Sequence, residues 1–317
     1  MGDPAGIGPE VALKAVRKLD NENIIPVIIG RGDILKTFYP QYLKDYRNFN
    51  NNPDIIKGEK YLCDVPLNFP VPVLGTGTPD TGRESLEYIN LSIKLLKEEK
   101  INAVVTSPVS KGFIEKSGVP FTGHTEYIAE MLGEQNPLMM MYSENYRVLL
   151  VTTHIPVSEI PSSIDGDRIR NIIIAGAASI SKLDGKKPRI AVAGLDPHCG
   201  DNGAISRFDR DVTARAVSDV RNLGIDVEGP FSADTLFIRE NWNQYDLVVA
   251  QYHDQGLIPF KMLAFDNGVN VTLGLSITRT SVDHGTAYDI AGKDTASYTS
   301  MMEAIRLAYR LEIFRSE

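Results

Sequence analysis

Short runs of β-branched and aliphatic residues alternate along this chain with longer stretches whose apolar residues recur every three or four positions. Few folds accommodate that alternation. Strand, helix and strand in succession pair the strands in parallel, with the helix crossing one face of the sheet, so the pattern predicts an α/β protein. The strand candidates are residues 25–29, 103–106, 147–151, 189–193, 247–250 and 269–272. Residues 82–97 predict a helix with Leu86, Ile89, Ile93 and Leu96 on one face, and 207–223 and 296–311 read the same way. Residues 48–60, where Asn48, Asn50, Asn51, Asn52 and Pro53 crowd together, predict a polar surface excursion. No repeat and no low-complexity linker interrupts the pattern, so a second domain would be entered by crossing the sheet rather than through a tether.

Polar residues fall at the ends of the strand-like runs. Examples are Thr106-Ser107-Pro108, Thr152-Thr153-His154, Asp196-Pro197-His198 and Tyr252-His253-Asp254-Gln255-Gly256. Ligands of open α/β sheets bind at the carboxyl ends of strands, so these clusters are expected to converge on one cleft. The formal net charge of -8 over 317 residues argues against a nucleic-acid or polybasic membrane binder, though local cations can still take an anion. Cys63 and Cys199 make neither a disulfide framework nor a four-cysteine zinc site, and a reducing cytoplasm is the expected compartment. The longest apolar runs are strand-sized, so no membrane span is expected.

His154, His198 and His253 each follow an apolar strand-like run. One histidine so placed usually serves structure, but three at equivalent strand ends suit a catalytic Zn²⁺ or another borderline divalent ion. In Gly123-His124-Thr125-Glu126, Thr125 could cap the helix that follows, and His124 could donate to a phosphate or carboxylate. Segment 253–261 places His253, Asp254 and Lys261 around an apolar turn containing Pro259, and Asn270 and Arg279 follow on the next two strand-like segments. Together these donors suggest anion recognition. Residues 1–8 form a glycine-rich turn entering a helix with Pro9 in its first turn. Such a turn could approach a phosphate, although its spacing is not the dinucleotide fingerprint. A loop of this kind normally follows a strand and none precedes it here, so an element is expected to have been lost to a late start or trimming, or to be lacking.

Residues 2–10, 106–112, 121–126, 152–156, 197–203, 233–237, 252–257, 268–274 and 279–287 together resemble the 4-hydroxythreonine-4-phosphate dehydrogenase family of vitamin B6 biosynthesis. The resemblance implies a two-lobed α/β/α fold like that of isocitrate and isopropylmalate dehydrogenases. One lobe would comprise residues 1–115 plus 270–317 and the other 116–269, in a homodimer with each active site in the cleft between lobes near the dimer interface. It implies His154, His198 and His253 as ligands of a divalent metal (zinc, magnesium or cobalt). It further implies His124, Thr125, Lys261, Asn270 and Arg279 as substrate contacts. The cofactor would be NAD or NADP in an extended groove, with no residue assigned to it. The implied reaction oxidises 4-phosphooxy-threonine to a β-keto acid that decarboxylates to 3-amino-2-oxopropyl phosphate, with Lys261 or Asp254 moving the protons. Where many relatives have Asn-Pro-His-Ala-Gly-Glu, this chain has Asp196-Pro197-His198-Cys199-Gly200-Asp201, which keeps the ligand and changes its neighbours. A sister activity on D-threonate or D-erythronate 4-phosphate is the nearest rival reading. A non-redox acyl-phosphate enzyme and an inactive binding relative are more distant ones.

Overall fold

A computed structural model describes residues 1–19, 21, 23–50, 53–135 and 137–316. The chain forms two compact units, Met1–Gln135 with Ser276–Ile313, and Asn136–Leu275. The first unit carries β1 (Val27–Gly30), β2 (Tyr46–Asn48), β3 (Lys60–Asp64) and β4 (Ala103–Thr106). The second carries β5 (Leu138–Tyr142), β6 (Arg147–Leu150), β7 (Ile190–Ala193), β8 (Val227–Phe231), β9 (Leu247–Ala250) and β10 (Val269–Leu273). The chain then returns to the first unit with β11 (Thr278–Val282).

In the first unit β1, β3 and β2 form a parallel sheet in that order, and β11 pairs with β4 in parallel, Arg279 opposite Val104. In the second, the order is β10-β5-β6-β9-β7-β8; the β10–β5 and β5–β6 pairs are antiparallel and the rest parallel. The fold is therefore α/β, as the alternation predicts, but its sheet is mixed: the β10–β5 and β5–β6 pairs are antiparallel where the alternation implies parallel pairing. Strands β6, β7 and β9 are buried along their whole length, the pattern of strands covered on both faces.

The expected strands correspond to β1, β4, β6, β7, β9 and β10, within two residues at each end. The expected 82–97 helix runs Pro79–Lys97, with its four apolar residues buried. It starts earlier because Thr78 and Thr81 form a reciprocal capping box ahead of that face. The 207–223 helix opens instead with a π turn, Asp209–Thr213, before Ala214–Asn222. Of the polar excursion, 54–58 is exposed, while Asn51 and Asn52 lie outside the described residues. Pro259 makes no turn: it lies inside the helix His253–Ala264. Among the described residues, no helix is long and apolar enough to cross a membrane.

The glycine-rich opening is packed against protein rather than left open for a phosphate. A side chain at Gly2, whose φ is 69°, would sit 2.4 Å from the Pro108 carbonyl oxygen, and one at Gly6 would sit 2.8 Å from that of Thr286. The loop is laced in by Asp3 N–H to Pro108 O, Ile7 N–H to Thr286 O and Gly75 N–H to Ala5 O, at 2.8–3.0 Å. The buried Asp3 carboxyl accepts from the Ala5 amide, the Tyr288 hydroxyl and the Thr81 hydroxyl. Burial pushes its pKa up, and these donors oppose the shift. Gly6→Ala should therefore cost about 1–3 kcal/mol and lower the melting temperature by several degrees. A thermal scan matching the parent's would show that this loop is not tightly packed.

Candidate functional site

In the second unit, strand register brings two of the candidate ligands together. Leu150 of β6 lies opposite Ala250 of β9, and the pairing continues past both strands. The Val151 amide donates to Ala250 O at 2.9 Å, and the Thr152 amide and hydroxyl both donate to Gln251 O, at 3.1 and 2.8 Å. His154, four residues beyond Leu150, therefore meets His253, three beyond Ala250; their ring centroids are 5.5 Å apart. His253 is the first residue of its helix, and its Nδ1–H donates to Asp254 Oδ1 at 2.7 Å. A carboxylate can only accept, so this bond places the proton on Nδ1 and leaves Nε2 for coordination. Two imidazoles so arranged fit half of a first coordination shell for a borderline divalent metal.

His198 is positioned differently. It follows β7 within a turn in which residues 198–203 all have positive φ, His198 at 53° and Cys199 at 54°. The left-handed region costs a residue with a side chain about 1–2 kcal/mol, and four of these six are not glycine. At Gly200 a side chain would lie 2.2 Å from Ser206 O. His198 is exposed near Asp234, whose pKa is lowered chiefly by the Ser232 hydroxyl and also by His198. Among the described residues no three His, Cys, Asp or Glu side chains form a metal-binding group within the chain. The structure thus brings together His154 and His253 and leaves His198 apart from a three-ligand cluster.

The anion-binding candidates divide between the units. Arg279, in β11, is 3% exposed; its Nη2 donates to Thr106 Oγ1 at 2.8 Å and its Nη1 to Thr125 Oγ1 at 3.3 Å. Burial pulls its pKa down to about 10, with Glu126 opposing, so it remains a cation at neutral pH. Thr125 is not the helix cap. Gly123 occupies that position, because the helix begins at His124 and the Thr125 hydroxyl serves Arg279 instead. His124 stands edge-on to Phe121, and burial, then the charges of Arg279 and Lys111, hold its pKa well below the usual histidine range. Lys261 and Asn270 belong to the second unit. Lys261 is eight residues past His253 on the same helix, about 12 Å along its axis. Asn270 Oδ1 is buried without a hydrogen-bond partner among the described residues, open to a donor from a ligand.

The sequence places Thr106 in a strand-end cluster but gives no sign of Asp209 or Gln251. Thr106 ends β4 and Gln251 directly follows β9, and only the folded structure shows what they hold.

The family described as pyridoxal phosphate biosynthetic protein PdxA matches residues 22–308. A 4-hydroxythreonine-4-phosphate dehydrogenase from Sulfurihydrogenibium sp. is 39% identical, over 99% of this chain and 98% of that one. A relative from Halalkalibacterium halodurans, 36% identical over 97% of this chain and 94% of its own, bears a D-threonate 4-phosphate dehydrogenase name. The crystal structure of a 4-hydroxythreonine-4-phosphate dehydrogenase from Klebsiella pneumoniae superposes with a TM-score of 0.84 at 33% identity, covering 98% of both chains.

His124 gives the fold a pH signature. Its pKa is lowered on folding, so below about pH 6.5 the unfolded chain binds a proton that the folded chain refuses. Stability from this site is present above that pH and falls as pH drops toward the folded pKa. His124→Gln should flatten the acid limb of a stability-versus-pH curve by up to about one proton. Denaturant titrations from pH 7.5 to 5 giving parallel curves for variant and parent would contradict it.

Proposed function

The chain belongs to the PdxA family, and from that premise we propose that it oxidises 4-hydroxythreonine 4-phosphate with NAD or NADP in the cytoplasm as a metal-dependent homodimer. The observation that carries the reading is the convergence of His154 and His253 at the ends of neighbouring parallel strands. His198 would be the third ligand, with a second copy of the chain completing the set. An apolar stripe along the His253 helix and onto its C-cap supports that pairing: Ile258, Met262 and Phe265 are 59%, 80% and 69% exposed at spacings of four and three. Such a stripe on a chain of this charge suits a self-complementary contact.

When bound, a divalent ion such as Zn²⁺, Mg²⁺ or Co²⁺ would be held by the histidines and would supply Lewis acidity, and a nicotinamide cofactor would supply the hydride acceptor. The chain's own part is to hold, orient and move protons. Asp254 fixes the His253 ring. With that carboxylate committed, Lys261 is assigned the proton transfers: it takes the hydroxyl proton as hydride leaves the same carbon. Oxidation gives a ketone β to the carboxylate. Carbon dioxide then departs as the electrons of the breaking bond flow toward that ketone, and Lys261 returns a proton to carbon. The product is 3-amino-2-oxopropyl phosphate. Arg279, His124 and Thr125 are assigned to the phosphate, where the buried guanidinium offers a planar fork and the neutral imidazole one further donor. Asn270 is assigned to a polar group of the substrate.

A second reading keeps the same machinery and changes the substrate to D-threonate 4-phosphate. The name borne by the Halalkalibacterium relative favours it. Measuring cofactor reduction with both phosphates side by side decides between them.

Arg279→Lys should lower kcat/KM for the phosphorylated substrate about 10²-fold, because a displaced anchor misplaces the reacting hydroxyl. The unphosphorylated alcohol should already be poor with the parent and lose little more. Equal losses for both alcohols, or none, would remove Arg279 from the phosphate. Chelation should abolish turnover, and added Zn²⁺, Mg²⁺ or Co²⁺ should restore it; activity that survives chelation would remove the metal from the reaction.

A further inference from the structure

Where β7 ends, four successive backbone positions are each held by a side chain. The Ala193 carbonyl accepts from Gln251 Nε2 at 2.8 Å, and the Gly194 carbonyl accepts from Gln255 Nε2 at 2.7 Å. The next two amides, of Leu195 and Asp196, donate to the two oxygens of Asp209, each at 2.9 Å. The holders are themselves held. Gln255 Oε1 accepts the Gln251 amide at 2.7 Å, and the Thr213 hydroxyl donates to Asp209 at 2.9 Å. Gln251 and Asp209 are wholly buried.

Immediately beyond this arrangement comes the left-handed stretch 198–203, beginning at His198. A backbone in that region persists only when its surroundings over-determine it, and the clamp fixes its entry. The clamp also joins the segments that carry the other two histidines. Gln251 lies two residues before His253 and Gln255 two after it, while the Gln251 carbonyl accepts from Thr152, two residues before His154. One buried residue, through its carbonyl and its side chain, therefore ties together the ends of β6, β9 and β7.

We propose that Gln251, Gln255 and Asp209 are positioning residues that fix His198 to the strand ends of its own chain, so that it meets the His154–His253 pair of a second copy in one geometry, and so set the affinity for the divalent metal. This rests on the reading of His198 as a ligand. Their place outside the first coordination shell makes the effect one of affinity and order rather than of chemistry.

The test compares the parent, Gln255→Ala and Asp209→Asn, each with His198 intact and with His198→Gln. Three quantities are read: Co²⁺ affinity by equilibrium titration, hydrogen–deuterium exchange of residues 194–206, and melting temperature. With His198 intact, each clamp variant should bind Co²⁺ about 10- to 100-fold more weakly, with faster exchange in 194–206. In the His198→Gln background the same substitutions should leave Co²⁺ affinity within about twofold, because the residue they act through is gone. Parental affinity in both clamp variants, or an equal loss in both backgrounds, overturns the clamp as a positioning device while leaving the ligand reading intact. A parent that binds no Co²⁺, or a His198→Gln variant that binds it as the parent does, overturns the ligand reading and the clamp with it.

Discussion

The end of β9 is the point on which the second unit depends. Its neighbours β6 and β7 run parallel to it on either side, all three buried, so every backbone group where the ladder stops needs a partner. Gln251 supplies partners on both sides: its carbonyl takes the Thr152 amide and hydroxyl, and its side chain takes the Ala193 carbonyl. With the strand ends thus joined, the register that pairs Leu150 with Ala250 carries forward into the loops and delivers His154 to His253. The chemistry of the site follows from hydrogen bonding that any parallel sheet must complete, done here by side chains that also fix where the histidines stand.

The first unit meets a different demand. Arg279 is an interior cation, and its guanidinium is lined by the hydroxyls of Thr106 and Thr125. Its own burial lowers its pKa without discharging it, while burial, and then the charges of Arg279 and Lys111, keep His124 neutral. A phosphate reaching such a fork meets a fixed donor set, with little reorganisation needed at the moment of binding. An acidic chain can recognise an anionic substrate in this way, by local placement against its overall charge.

The sequence made legible what periodicity and strand ends encode. The six strand candidates, the face of the Pro79–Lys97 helix and the strand-end position of all three histidines could be read because apolar runs and their polar terminators are local signals. What escaped has physical reasons. Strand β5 is Leu-Met-Met-Met-Tyr, rich in a residue without β-branching, and β8 contains Gly229-Pro230, tolerated because it stands at the end of the strand order. The left-handed turn after β7 contains histidine, cysteine, aspartate and asparagine where only glycine would announce such a backbone. The Thr125 cap was misplaced because its hydroxyl answers to Arg279, more than 150 residues away. Distance along the chain hides such partners from any reading of the sequence.

The central claim is that the three strand-end histidines make one metal centre, completed between two copies of the chain. The direct measurement uses hybrid dimers, purified with two different tags after co-expression of His198→Ala and His253→Ala chains, and assayed by cofactor reduction with 4-hydroxythreonine 4-phosphate. Each homodimer should be inactive, while the hybrid recovers about half the parental activity, since one of its two sites then contains no substituted ligand. Hybrids as inactive as the two homodimers would contradict the account.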